Sequence, residues 1–403
     1  MYDLCLKNGK LITIEGFNDS NIYISEGKIA LTSKQDKLSD KTIDLKGRYV
    51  FPGLIDPHCH LRDFEQSEKG TVSSETKAAI AGGYTTVGWM GNTTPTINSY
   101  EGLEKAKKVI KRDSFCKVIV YIVIGNQNIH EMHKNPHIYN KIFFGSSTGS
   151  IAISELNFQL ALRELPFVAI HPEDEKILLE TQNTFPEENN HCKLRPLSAE
   201  ISAIEKILRN SFKKVYLLHL TSYQSFQLIQ NYSNIYGEVT PHHLFLDEYD
   251  YIQMGNLAKM NPPLRSKETR IKLWDAIKNK MVFTIGTDHA PHTIEEKQDG
   301  ASGIPGFETS VPLMLTAAHE GVISYQQIVE LMSSNPAKLL GLPVNSITAG
   351  DIADFTIVNP NKRWQFKAEN AFSKAKWSPF DGRIFTGSVD YTIVEGKVVY
   401  NNT

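Results

Sequence analysis

Between residues 52 and 344 the apolar positions fall into short runs, at 85–90, 118–124, 141–144, 167–170, 215–220, 235–239 and 282–285. The runs are mostly apolar throughout instead of alternating, as strands buried on both faces should be. Between them lie helix-patterned stretches at 74–81, 101–111, 155–164, 198–210, 223–231, 267–278 and 325–333. Strands alternating with helices predict an α/β fold with parallel connections. Including a first strand that ends near His60, about eight strands over about 290 residues suit a closed (β/α)8 barrel of the TIM type better than an open sheet.

The chain ends follow another pattern. Short runs at 2–6, 11–14, 21–24 and 28–31 are broken by Gly9, Gly16 and Gly27, and runs at 355–358, 391–394 and 397–400 are separated by Gly350, Gly387 and Gly396. Short strands between glycine turns predict β structure. The expected organisation is a small β-sandwich domain assembled from residues 1–51 and 345–403 around a barrel spanning 52–344.

Composition narrows the possibilities. With 43 Lys plus Arg against 45 Asp plus Glu, the formal charge is −2, without the basic excess that phosphate recognition needs, so no nucleic-acid partner is expected. The basic run around Lys105–Arg112 reads as a solvated helix face. No apolar run approaches the roughly 20 residues that span a bilayer, and residues 1–20 lack the pattern of a secretory signal. The four cysteines are scattered, with no CxxC pair, which points to a reducing, cytoplasmic setting.

The histidines are unevenly placed. His58 and His60, at i and i+2 on an extended strand, face the same side. The runs at 167–170 and 215–220 carry His171 and His219 near their ends, and the run at 282–285 leads to Asp288. In a barrel, the C-terminal strand ends are where an active site is built. Imidazole nitrogens with a carboxylate, and no thiolate, suit zinc or a similar divalent cation in an open catalytic site. Lys141 begins a short strand with no obvious ligand. Its ammonium either snorkels to water, or burial lowers its pKa and leaves a neutral amine that can add carbon dioxide. The letters leave both open.

Taken in order, His58-x-His60-Leu61-Arg62, Gly91-Asn92-Thr93-x-Pro95, Lys141, His171, His219, Pro241-His242-His243, Asn261-Pro262-Pro263-Leu264-Arg265 and Thr287-Asp288-His289-Ala290-Pro291-His292 form a set that resembles the dihydroorotases of the amidohydrolase superfamily, in their longer two-part form. The resemblance covers almost the whole chain. It implies zinc-dependent interconversion of N-carbamoyl-L-aspartate and L-dihydroorotate in pyrimidine biosynthesis. It implies two Zn2+ ions, one held by His58, His60 and Asp288 and one by His171 and His219, bridged by a carbamylated Lys141. It further implies that Arg62, Asn92, Asn261 and His292 hold the substrate, that Asp288 is catalytic and moves the proton, and, by analogy, a homodimer.

Two departures stand out. Asp63-Phe64-Glu65 replaces the Glu-Pro-Gly that many relatives carry after the arginine, and Gly91 replaces a proline before Asn92. The guanidinium of Arg62 offers a fork suited to a carboxylate. His242 and His243 are expected to be structural, Glu238 is given no metal role, and 145–149 reads as a solvated Gly/Ser loop. Backbone groups near Gly303–Phe307 are expected to contact a bound ring, because such loops often close over barrel sites. The competing readings are a hydantoinase or allantoinase, and an inactive dihydroorotase-like scaffold partner of a transcarbamoylase. All six expected metal positions are filled, which speaks against the scaffold.

Overall fold

The computed structural model describes residues 1–134, 139–147 and 152–403. Its central sheet contains eight strands in sequential order: β1 (Leu54–Cys59), β2 (Tyr84–Met90), β3 (Lys117–Val123), β4 (Tyr139–Phe143), β5 (Val168–His171), β6 (Val215–Leu217), β7 (Ile235–Val239) and β8 (Thr284–Ile285). Every neighbouring pair is parallel. The last strand returns to the first. The His60 N–H donates to the His289 carbonyl at 2.7 Å and the Asp288 N–H to the His58 carbonyl at 3.0 Å, so the sheet closes into the expected TIM-type barrel.

Strand alternation sorts the side chains. Val168 and Ile170 point outward, against the helices, in one large core. Ala169 and Tyr216 point inward and, with Ile55, Met90 and Tyr121, fill the barrel interior. The barrel is therefore a packed core with a site only at its rim. Inward parity also carries Lys141 and His171 into the barrel. His219 does not follow from parity. Strand β6 stops at Leu217, short of the expected 220, and His219 takes a positive φ of 40°, which leaves the ladder. The surrounding helices begin at capping side chains such as Thr71, Ser99, Ser222 and Ser266, each satisfying an otherwise unpaired backbone N–H.

Both chain ends form β structure outside the barrel. A four-stranded sheet comprises Lys28–Ser33, Asn21–Ser25, Tyr2–Lys7 and Ser39–Asp44. In a six-stranded sheet, Tyr49–Pro52 pairs antiparallel with Phe355–Gln365, so N- and C-terminal segments share one ladder. Leu4, Ile22, Val50, Phe355 and Ile393 lie in the core of this part. Residues 366–383, between two long C-terminal strands, pack on the barrel: Phe366 and Phe380 join Leu246, Met260 and Ile304. Among the described residues, no helix is long and apolar enough to cross a membrane.

Candidate active site

The first cluster forms where β1 meets the return from β8. His58 Nε2 lies 3.2 Å and His60 Nε2 3.0 Å from Asp288 Oδ1. The opposite nitrogens are occupied: His58 Nδ1 is 2.8 Å from Glu238 Oε1, and His60 Nδ1 is 2.7 Å from Asn92 Oδ1. With Nδ1–H donating to each acceptor, both Nε2 lone pairs converge on the Asp288 carboxylate. Converging lone pairs repel unless a proton or a metal ion lies among them, and this trio could hold a metal ion, its donor atoms all lying within 4.8 Å of one another.

The second cluster faces the first across the rim. His171 Nδ1 and His219 Nε2 are 2.9 Å apart. His171 Nε2 is 2.7 Å from Glu173 Oε2, and Arg195 Nη2 donates to that same oxygen at 2.5 Å. His219 Nδ1 is buried without a hydrogen-bond partner among the described residues. Lys141, only 1 % exposed, lines the same cleft, with its Nζ 4.4 Å from the Phe143 ring centre. His171 Nδ1 and His219 Nε2, brought together here, are nitrogen donors that could hold a second cation.

The electrostatics are sharply graded. Burial disfavours charge on His58, but Asp288 and Glu238 outweigh it and raise its pKa to about 9. Burial dominates at His60, which falls to about 4, and holds His219 well below the usual imidazole range. Burial also opposes ionisation of Asp288, yet His58 and His60 hold its carboxyl well below the usual carboxylate range. Desolvation pushes Lys141 down to about 7. A buried lysine titrating near neutrality offers a free amine that a surface lysine does not.

The polar wall begins at Arg62. Arg62, Asp63 and Phe64 have φ values of 64°, 67° and 51°, a left-handed run that ordinarily costs energy outside glycine. The Asp63 carboxylate offsets the strain by accepting from the Phe64 and Val72 N–H groups, each at 2.7 Å. This turn returns Arg62 over the cleft, where Nε donates to the Pro291 carbonyl at 3.0 Å and Nη2 lies 3.0 Å from His292 Nε2. Asn261 Oδ1 accepts from His191 Nε2 at 2.8 Å, and its Nδ2 is 3.3 Å from Ser147 Oγ.

Of the ten residues singled out from the sequence, nine line one cleft: His58, His60, Arg62, Asn92, Lys141, His171, His219, Asn261 and Asp288. His292 stands behind Arg62. Its Nδ1 is engaged by Glu296 Oε2 at 2.9 Å, which leaves Nε2 to accept from the guanidinium. Of the 145–149 loop, Thr148 and Gly149 lie outside the described residues. Ser146 is bonded by Glu175 and Arg195, and Ser147 lines the cleft, so this part is not a merely solvated turn. Gly303 lines the cleft, whereas the Gly306 and Phe307 N–H groups point to His289 Nδ1 at 3.0 and 3.4 Å.

Glu238, Glu173, Arg195 and His191 were not singled out as partners. Glu238 carried one signal, a carboxylate inside an apolar barrel strand. It is fully buried, bonded by His58, the His219 N–H and Tyr216, and a Cβ on Gly286 would lie 2.0 Å from its Oε2. Gly286 therefore makes room for it. Glu173 and Arg195 are 22 residues apart in the chain, and nothing in their local pattern marks the pairing.

Comparison with known proteins gives the family. Residues 47–153 match the dihydro-orotase-like family and residues 229–399 the amidohydrolase family. The chain is 40 % identical to the dihydroorotase of Pyrococcus furiosus, covering 96 % of this chain and 89 % of the relative. It is 38 % identical to that of Thermococcus kodakarensis, over 99 % and 95 %, and 31 % identical to that of Aquifex aeolicus over the full length of both. The chain belongs to the dihydroorotase family. As a member of that family it is a cyclic amide hydrolase. Among solved structures, the L-hydantoinase (dihydropyrimidinase) from Arthrobacter aurescens superposes with a TM-score of 0.95 at 27 % identity, over 100 % of this chain and 96 % of that one. The dihydropyrimidinase from Brevibacillus agri, at 23 % identity and a TM-score of 0.91 over 100 % and 95 %, shares the fold. The dihydroorotase-family chain thus shares its fold with these two proteins.

Proposed function

We propose that this dihydroorotase-family enzyme interconverts N-carbamoyl-L-aspartate and L-dihydroorotate plus water, as a step of pyrimidine biosynthesis in the cytoplasm. The observation that carries the reading is Arg62, a buried guanidinium in the wall of the same cleft as His58, His60 and Asp288. A fixed fork beside a hydrolytic centre suits a ring that bears a carboxylate. The four buried, free thiols support a reducing compartment. We take residues 52–344 as the catalytic unit and 1–51 with 345–403 as the second unit.

Two zinc ions are the proposed cofactor. His58, His60 and Asp288 would hold one, His171 and His219 the other, and Lys141 would join them as its carbamate. When bound, such ions supply Lewis acidity that polarises a carbonyl and makes hydroxide available near neutral pH. The Lys141 amine, lowered to about 7 by burial, adds CO2 to give an N-carboxylate with release of one proton.

In hydrolysis, Asp288 takes a proton from the attacking water and returns it to the leaving ring nitrogen. Its carboxyl is held well below the usual range by His58 and His60, so it starts ionised. Positioned proton transfer of this kind typically contributes about 10²–10⁴-fold. Arg62 grips the substrate carboxylate, and His292, with Nδ1 on Glu296, holds the guanidinium from behind. Asn92 has its Oδ1 on His60, which leaves its NH2 for the substrate. Asn261, with Oδ1 on His191 and Nδ2 reaching Ser147, keeps one amide N–H for the substrate.

The second reading, a hydantoinase, is favoured by the likeness to the Arthrobacter aurescens enzyme. Assays on dihydroorotate, hydantoin and allantoin, with and without chelator and added zinc, separate the two. Zinc-dependent preference for dihydroorotate is expected. Preference for either neutral ring overturns the proposal.

A further inference from the structure

Lys297 is a buried cation outside the mechanism above. It sits on the short helix Ile294–Gln298 and is 0 % exposed, yet among the described residues no carboxylate pairs with it: its Nζ donates to the carbonyls of Lys259, Ala301 and Gly303 at 2.9, 2.7 and 3.0 Å. An ammonium has three donors, and here each finds an acceptor. The Trp377 ring covers the same nitrogen, its centre 5.3 Å away, a further stabilisation of positive charge. Burial, with the Lys259 ammonium adding to it, pushes the group down to about 7, while the three carbonyls favour the charged form.

The acceptors belong to two segments that line the cleft. Lys259 lies two residues before Asn261, and Ala301 and Gly303 flank Ser302; Asn261, Ser302 and Gly303 all face the cleft. The Gly303 N–H also donates to the Lys259 carbonyl at 3.0 Å, so the two walls meet at the ammonium. Trp377 adds a third tie, donating from Nε1 to the His292 carbonyl at 2.8 Å.

We propose that Lys297 is a positioning residue whose ammonium sets the spacing between the Asn261 wall and the Ser302–Gly303 wall, and with it the fit of the ring. The proposal rests on reading the cleft as a dihydroorotate site. A displaced wall weakens ground-state and transition-state contacts alike and leaves the hydrolytic centre intact, so the loss falls on KM.

The test uses Lys297→Ala and Trp377→Phe in the full-length, zinc-loaded enzyme. Dihydroorotate turnover by the parent is measured first; its absence fails the functional reading and leaves the positioning role to be judged by hydrogen exchange. Lys297→Ala is expected to raise KM about tenfold, the scale of one lost charged hydrogen bond, with kcat and bound zinc little changed. Propylammonium, which replaces the deleted atoms, should lower KM again, and propanol should not. Amide exchange at 301–303 should quicken in both variants. A folded Lys297→Ala with parental KM and parental exchange overturns the assignment, as does a KM defect that propanol repairs equally well. Should Lys297→Ala fail to fold, a parental KM and parental exchange in Trp377→Phe overturn it.

Discussion

Glu238 accepts from His58 Nδ1 at 2.8 Å, and this contact decides which nitrogen of His58 faces the cleft. The same oxygen accepts the His219 N–H at 3.0 Å, so one buried carboxylate sets a donor in each cluster. Such partners fix the tautomer and orientation of a metal-binding imidazole. Glu238→Gln should therefore lower zinc affinity about 10–100-fold, read by chelator competition. Unchanged affinity would count against its positioning role.

Lys141 carries the proposed bridge. Lys141→Ala should lose bound metal and activity together, and a short carboxylic acid should restore part of both. Intact mass of the parent under gentle conditions should show one added CO2. Retention of two metals in the alanine variant would remove the bridging role.

Arg62 separates a carboxylate clamp from a general positive charge. Arg62→Lys keeps the charge and loses the fork, so kcat/KM for dihydroorotate should fall about 10–100-fold, the equivalent of roughly 1.5–3 kcal/mol for hydrogen bonds to a charged group. Hydantoin, without the carboxylate, should lose far less. Equal losses on both substrates would show that Arg62 does not read the carboxylate.

Asp174, three residues after His171, gives a pH prediction that rests on a pairing outside the donor set. Burial resists its ionisation, but Lys206 at 2.8 Å and Ser202 at 2.6 Å outweigh that cost and lower its pKa. A carboxyl lowered in the folded state adds stability above its unfolded value of about 3.9 and loses it as the pH falls through the folded value. Asp174→Asn should cost about 1 kcal/mol at pH 7, with the difference shrinking below about pH 4. Urea melts of chelator-treated protein, so that metal release does not contribute, would show this. A difference independent of pH would mean that ionisation of Asp174 is not its source.

Much of the barrel was legible because its determinants are local. A strand buried on both faces must be apolar throughout, so the runs at 118–124 and 167–170 mark β3 and β5 directly. The order of His58, His60, His171, His219 and Asp288 along strand ends was equally plain, because a barrel collects its strand ends at one rim. The Glu238–His58, Glu173–Arg195 and Lys297–Gly303 contacts were not legible in this way. Each joins groups whose pairing depends on barrel closure or loop docking, and a lone buried charge in a sequence does not name its partner.

By itself, then, the sequence determined the alternation of elements, the shared face of His58 and His60, and the donor types available at the rim. These follow from side-chain periodicity and covalent chemistry within a few residues. Only the tertiary structure decided that β6 ends early and turns His219 through a positive φ. The same holds for the contact between His292 Nε2 and Arg62, and for residues 366–383, which pack on the barrel. Those outcomes depend on which surfaces meet when the barrel closes, where burial and hydrogen-bond satisfaction between distant segments outweigh local preference.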